Sequence, residues 1–221
     1  MERLTCAACG HGHFGRRPVL SKELIEAWQL SPEEARYIDE QQGVHCAACG
    51  SNLRSIALAR AICSALGGRP PLNVLAPSVP ASLKILEINE AGDLTQFLQH
   101  IPGYRFAAYP DVDMQKMPFF DGEFDLVVHS DTLEHVENPH LGLRECRRIL
   151  KAVGACCYTV PIVVRRMSRS RAGLPASDHA GHHVHTEFGA DAWVVAAAAG
   201  FSRVELTSVL FPRAIAIVAR A

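Results

Sequence analysis

The pentapeptide CAACG occurs twice in this chain, at residues 6–10 and 46–50. A C-x-x-C turn aims two thiolates at one point, and the glycine after it eases the tight backbone. Two such turns complete the closed, tetrahedral four-thiolate geometry of structural zinc. Cys6, Cys9, Cys46 and Cys49 are therefore assigned to one Zn2+ ion, with His11, His13 and His45 nearby as alternative ligands. A redox C-x-x-C needs one copy only and opens a helix of a thioredoxin-like unit, so the repeat disfavours it. The metal site constrains everything around it, because it pins residues forty positions apart to one spot.

The second knuckle runs into SNLRSIALARAICSALGG, where Ser51 or Asn52 can cap a helix and Gly67-Gly68 can end it. A knuckle that feeds a helix resembles zinc-ribbon and treble-clef modules. Between the knuckles, SKELIEAWQL and SPEEARYIDEQQ read as short helices. The second opens with a cap, a proline and two acids that suit the helix dipole. Residues 1–66 are thus expected to form a zinc module. The stretch 67–82, with four prolines, reads as a linker. Residues 83–221 read as a second domain.

In that domain apolar runs alternate with helical patterns. KILEIN (84–89), YRFAAY (104–109), FDLVVHS (124–130) and GACCYTVPI (154–162) read as strands. DLTQFLQHI (93–101), NPHLGLRECRRIL (138–150) and GADAWVVAAAAG (189–200) read as helices. FSRVELTSVL and RAIAIVA close the chain as a hairpin around Phe211-Pro212. This order predicts an α/β fold: a doubly wound, mostly parallel sheet with an antiparallel C-terminal hairpin. Ligands of such sheets bind at the carboxyl ends of the strands. The segments after Asn89, Tyr109, Ser130 and Pro161 should therefore surround one crevice.

The 221 residues carry 22 Lys and Arg against 23 Asp and Glu, a net charge of −1. That balance, without an aromatic–basic face, argues against a nucleic-acid partner. No secretion signal opens the sequence, and apolar stretches such as WVVAAAAG are too short for a bilayer. The expectation is a cytoplasmic protein with reduced thiols, no membrane partner and no disulfides. Oligomeric state is not legible.

From residue 83 onward the chain resembles class I S-adenosylmethionine-dependent methyltransferases, with a type 11-like domain of Rossmann-like fold. MPFFDGEFDLVVHSDTLEHVENPHLGLRECRRILKAVGACCYTVP (117–161) and AAGFSRVEL (198–206) carry the resemblance. It implies that Glu87 is the acid ending the first strand, near the amino end of the donor's methionine. It implies that the glycine loop corresponds to 89–93, here with Asn89, Ala91 and Gly92. Asp113 would read the adenine amino group, with Met114 as its apolar neighbour. His129, Ser130 and Asp131 would end the fourth strand beside the methionine and the acceptor. Glu134 and His135 match the Leu-Glu-His turn, with a structural role open to the pair.

The implied activity is O- or N-methylation of a small-molecule or sugar-like acceptor, with S-adenosylmethionine as cofactor. Sugar-like acceptors enter because a cysteine-knuckle segment ahead of such a domain resembles a bacterial subgroup associated with sugar or cell-surface pathways. The alternative is a catalytically inactive scaffold of the same fold, since a loop with one glycine has lost most of the residues that let a backbone approach a ligand. Methyl transfer to oxygen or nitrogen wants a base. His129, and His183 and His185 with Glu187 in the loop SDHAGHHVHTEF (177–188), are the candidates. Arg165, Arg166, Arg169 and Arg171 read either as a solvated loop or as a clamp for an anionic substrate.

Overall fold

The computed structural model describes residues 4–68, 70–173, 178–179 and 182–221. Arg69 of the expected linker, and Ser177, Ala180 and Gly181 of the histidine-rich loop, lie outside them.

The first knuckle leads into strand β1 (Phe14–Arg16), helix α1 (Lys22–Ala27) and helix α2 (Pro32–Gly43). Strand β2 (Val44–Cys46) returns antiparallel to β1 and delivers the second knuckle. The glycine after each knuckle is left-handed, with φ +83° at Gly10 and +82° at Gly50, as a tight turn there demands. Ser31 and Glu34 close a capping box at the start of α2. Asn52, whose side chain accepts from the Ser55 amide at 2.9 Å, caps helix α3 (Leu53–Ala65). Gly67 ends α3 at φ +73°, and the Gly68 amide reaches back to the Cys63 carbonyl.

After the short helix α4 (Leu72–Leu75) come strands β3 (Ile85–Ile88), β4 (Tyr104–Ala107), β5 (Phe124–Ser130) and β6 (Leu150–Thr159). Helix α5 (Thr95–Leu98) joins β3 to β4, and helix α6 (Pro139–Ile149) joins β5 to β6. The stretch read as one helix over 93–101 is a 3-10 turn at Gly92–Leu94 followed by the single turn of α5. Beyond β6 lie the short strands β7 (Ile162–Val163), β8 (Arg169–Ser170), β9 (Asp178–His179), β10 (His182–His183) and β11 (Thr186–Gly189). Helix α7 (Val194–Ala198) and the hairpin β12 (Arg203–Val209) and β13 (Ala214–Arg220) follow. Helix α7 is shorter than the sequence suggested because Phe188 and Gly189 join β11, and Asp191 accepts from the Ser168 amide at 2.6 Å.

The main sheet runs β12-β13-β6-β5-β3-β4. Strands β4, β3, β5 and β6 are parallel, while β13 is antiparallel to both β6 and β12. It is a mixed α/β sheet of Rossmann-like design, with the expected antiparallel hairpin at one edge. The connections from β3 diverge, to β4 on one side and later to β5 on the other. The switch point therefore falls between β3 and β5, and a crevice opens at their carboxyl ends.

Side chains alternate across the sheet. Leu126 and Val128 face one apolar layer with α3 and the cysteine knuckles, whereas Val127 faces the layer built with α6 and α7. Helix α3 is buried nearly all round, as a helix apolar on most sides must be. Cys6, Cys46 and Leu53 share one cluster with Ile85, Val128 and Val218, and Leu72, Ala76 and Val79 of the 67–82 stretch belong to it too. The expected segments 1–66, 67–82 and 83–221 thus meet in a common core.

Helices α1 and α2 dock elsewhere. Trp28, Leu30 and Ile38 pack on Val163 and Val184. Arg166 clasps both Glu34 carboxylate oxygens at 2.6 and 2.7 Å and donates to the Trp28 and Gln29 carbonyls. The Arg166 guanidinium holds the Glu34 carboxyl down to about 2. Glu34 therefore adds stability above its ordinary carboxylate range, and that contribution is lost as pH falls toward 2. Arg166→Ala should cost about 1–3 kcal/mol, because charge-assisted hydrogen bonds are removed around a largely buried carboxylate. Urea unfolding at neutral pH should show the loss, and hydrogen exchange should show it concentrated in residues 22–43.

Candidate functional site

The loop after β3 is organised by Glu87, which is fully buried. Its Oε1 accepts from the Ala91 amide at 2.7 Å and from Thr95 Oγ1 at 2.6 Å, and its Oε2 accepts from the Tyr104 hydroxyl at 2.6 Å. Such an acid ties the loop and the next strand to the strand end. Asn89 joins three elements. Its amide donates to Ala107, its Oδ1 accepts from the Tyr109 amide at 3.1 Å, and its Nδ2 donates to Thr132 Oγ1 at 3.3 Å. Asn89 is left-handed, with φ +54°, and so is Gly92, with φ +58°. Asparagine tolerates that conformation better than most residues, so one Asn and one Gly turn a loop that lacks other glycines. Ala91 lies buried beneath the loop.

In front of this loop is a cleft of about 380 Å³. Glu90, Gly92 and Asp93 form one wall, Ser130 and Asp131 the floor, and Asn52, Arg54 and Ser55 from the first turn of α3 the opposite wall. Arg54 is 4% exposed, and its Nη2 donates to Asp131 Oδ2 at 2.6 Å. Its Nε and Nη1 have no protein partner among the described residues. Asp131 is left-handed, with φ +48°, and Ser130 Oγ lies 2.8 Å from Thr159 Oγ1. Behind Asp131, Glu134 is fully buried. Burial first, and the Asp131 carboxylate second, push its pKa well above the usual carboxylate range.

Arg54 and Asp131 were not both foreseeable. Asp131 follows the strand-end Ser130. The only sign of Arg54 is a cation, one of two with Arg60, inside the otherwise apolar run of α3, and its partner is 77 residues away.

The remaining expected site residues fall in different places. Asp113 is exposed, and its Oδ1 accepts from the Gln115 amide at 2.8 Å. Met114 is buried with Leu86 and Ile88 in the α6 layer, its Cγ 3.4 Å from where a Gly142 Cβ would stand. Neither borders the cleft.

His129 is a correction. Strand alternation turns it away from the crevice, and it is fully buried, stacked on Tyr158 with ring centroids 4.8 Å apart and planes 14° apart. Burial lowers its pKa to about 3. It is a neutral core side chain and cannot take a proton from an acceptor or touch a cofactor.

His183 is exposed and packs edge-on against His185, centroids 4.6 Å apart. Their segment lies on the turn after β5. His135 Nδ1 donates to the His183 carbonyl at 2.8 Å, and the His185 amide donates to the Glu134 carbonyl at 2.8 Å. Glu187 is buried and paired with Arg169 at 2.6 Å and with Arg171. Arg165 pairs with Glu33 at 2.6 Å and Arg166 with Glu34. All four arginines of 165–171 thus meet carboxylates of this chain, with Arg165 and Arg169 largely exposed as a solvated loop would have them and Arg171 buried on Glu187.

The sulfurs of Cys6, Cys9, Cys46 and Cys49 all lie within 4.8 Å of one another, with Cys6–Cys49 at 3.7 Å and Cys9–Cys46 at 3.5 Å. A tetrahedral zinc–thiolate centre has edges of about 3.8 Å, from a Zn–S bond of about 2.3 Å. The quartet fits such an ion. Burial pushes the Cys9 thiol up to about 11, so a cation is what would hold it as thiolate at neutral pH. His45 instead spends Nδ1 on the Gly43 carbonyl at 2.9 Å.

A crevice at the switch point of a doubly wound sheet, with an acid ending the first strand, defines an α/β protein built to hold a ligand over its strand ends. Residues 86–158 match the methyltransferase domain family. No curated protein matches the chain. Among solved structures the chain is similar to an S-adenosylmethionine-dependent methyltransferase from Aquifex aeolicus. That match has 13% identity and a TM-score of 0.42, and covers 63% of this chain and 82% of the other. The CurJ carbon methyltransferase matches at 14% identity and TM-score 0.45, covering 90% and 69%. The [4+2]-cyclase SpnF matches at 19% identity and TM-score 0.37, covering 62% and 58%. Among the described residues no helix is long and apolar enough to cross a membrane.

The buried imidazole gives a pH test. His129 has a folded pKa of about 3 against an ordinary 6.5. Below pH 6.5 the unfolded chain takes a proton that the native ring refuses, so stability is full above that pH and falls toward pH 3. Between pH 6.5 and 4.5 this one group should cost roughly 2–3 kcal/mol. His129→Phe, which keeps the stack on Tyr158, should remove that part of the acid sensitivity. Urea midpoints of both proteins across this range give the difference, and parallel pH profiles would refute the assignment.

Proposed function

We propose that this chain is an S-adenosylmethionine-dependent methyltransferase whose cleft holds the methionine end of the donor. One observation carries the reading. The cleft is lined both by Arg54, two of whose guanidinium nitrogens have no protein partner among the described residues, and by the exposed residues Glu90 and Asp93. A zwitterionic amino-acid head needs both, a cation for its carboxylate and acids for its ammonium. Asp131 holds the Arg54 fork in place, and Ser130 offers a hydroxyl on the floor. The buried Glu87 does not touch the ligand in this reading; it keeps Ala91 and the loop in register.

From the methionine subsite the adenosine would run past Asn89 and the exposed Tyr109 toward Asp113, whose carboxylate can accept from the adenine amino group, with Met114 as the apolar support. Bound there, S-adenosylmethionine supplies an electrophilic methyl group on a sulfonium. The chain's own work is then to orient that group, exclude water and place the acceptor. Removal of the acceptor proton falls to His183 or His185, which lie over the Leu133–His135 turn. O- or N-methylation of a small-molecule or sugar-like acceptor suits such a base. The four cysteines are read as a structural zinc site. None of the eight cysteines is in a disulfide, and the compartment proposed is the cytoplasm.

Isothermal titration with S-adenosylmethionine and S-adenosylhomocysteine tests the reading. Binding in the micromolar range is expected, and absence of heat at millimolar ligand would leave the non-catalytic scaffold. Arg54→Ala should weaken binding roughly 10- to 100-fold, the worth of a hydrogen-bonded charge of about 1.5–3 kcal/mol. Asp113→Ala should weaken it about tenfold; an unchanged affinity would show that the adenine lies elsewhere.

A further inference from the structure

The second cysteine knuckle touches both walls of the cleft. On the α3 side, the Cys46 amide donates to the Ser51 carbonyl at 2.9 Å and Cys49 Sγ lies 3.3 Å from Ser51 Oγ. Asn52 follows at once and caps the turn that carries Arg54 and Ser55. On the loop side, Gln96 Nε2 donates to the Cys49 carbonyl at 3.4 Å. Gly50 sits so close to Asp93 that an added Cβ would stand 3.3 Å from Oδ1. The walls also meet at their tips, where a Cβ on Gly92 would lie 3.5 Å from Ser55 Oγ. A turn of five residues therefore sets the spacing between Arg54 and the acids opposite it.

We propose that the four-cysteine metal site is a positioning element of the donor cleft rather than a separate module: a bound zinc-class cation fixes the Cys46–Gly50 turn, and that turn fixes Arg54 against Asp93 and Asp131. The physical case is leverage. An isolated C-x-x-C turn has many accessible conformations, and ligation of both its thiolates selects one. Arg54 lies five residues from Cys49, joined by a capped helical turn, so freedom at the sulfurs passes to the guanidinium. Catalytic and binding groups lose most of their effect when displaced by about 1 Å. Ser51 and Gln96 are then positioning residues, acting on the ligand only through the walls they hold. This inference rests on the donor reading of the cleft.

The experiment uses the full chain and titrates S-adenosylhomocysteine by calorimetry, with far-UV circular dichroism alongside. Protein as loaded should contain one zinc per chain. After chelation the sheet and helix signal should persist while affinity falls at least tenfold, and Zn2+ or Cd2+ should restore it. Because Cys6 and Cys46 also help fill the core, a second arm leaves the ligands intact. Ser51→Ala combined with Gln96→Ala should keep one zinc per chain and the native melting temperature to within a few degrees, yet bind several-fold more weakly. Wild-type affinity in that double variant, or in folded metal-free protein, overturns the proposal. If loaded wild-type protein does not bind at all, the donor reading itself fails, a distinct result.

Discussion

A single carboxylate sets the shape of the ligand-binding end of this sheet. Glu87 is sealed from water at the end of β3, and its two oxygens accept three hydrogen bonds, from a loop amide, a helix hydroxyl and a neighbouring-strand phenol. A buried polar group is tolerated only with such saturation, so the partners are as constrained as the acid. The loop must bring Ala91 back over the strand. It does so with a left-handed Asn89 that also bridges β4 and the segment after β5. The apparent shortage of glycine is thus met by side-chain hydrogen bonds that a glycine could not make.

Much of this was legible in order along the chain. The apolar run at 124–130 is β5 to the residue, and Asn138-Pro139 opens α6 with the cap and proline that the sequence displays. Local chemistry fixes such elements, so local reading finds them. The doubled knuckle likewise brings its four sulfurs together. What failed was long-range pairing. Nothing near RRMSRSR announces that Glu33, Glu34 and Glu187 will meet its arginines, and nothing in LRSIALA announces Asp131. His129 was misjudged for another reason. A two-residue period was available across LVVHS, and it sends His129 to the side opposite Val128, into the α6 layer.

The cleft owes as much to the first third of the chain as to the stretch that matches the methyltransferase domain family. That match begins at residue 86, whereas Asn52, Arg54 and Ser55 precede it. The sheet supplies acids, a hydroxyl and a precise floor, while α3 supplies the cation. A fold family with so general a sheet leaves its specificity to what is laid over the strand ends, and here that covering is anchored by cysteines.

Helix α3 also imposes an order of events on synthesis. It is buried on almost every side, and a large part of its apolar surface is covered by β13, the last strand of the sheet. A ribosome delivers α3 early and its cover last. Until β13 arrives, a sticky helix must wait, and the contacts that finally shield it span most of the polypeptide. Chains with such distant pairings fold slowly and spend longer exposed to aggregation. The knuckles offer an early local anchor during that interval, since a cation can bind once residue 49 has emerged. If the four thiolates do take a metal, its supply during synthesis would then influence yield of folded protein, independently of any role in the finished molecule.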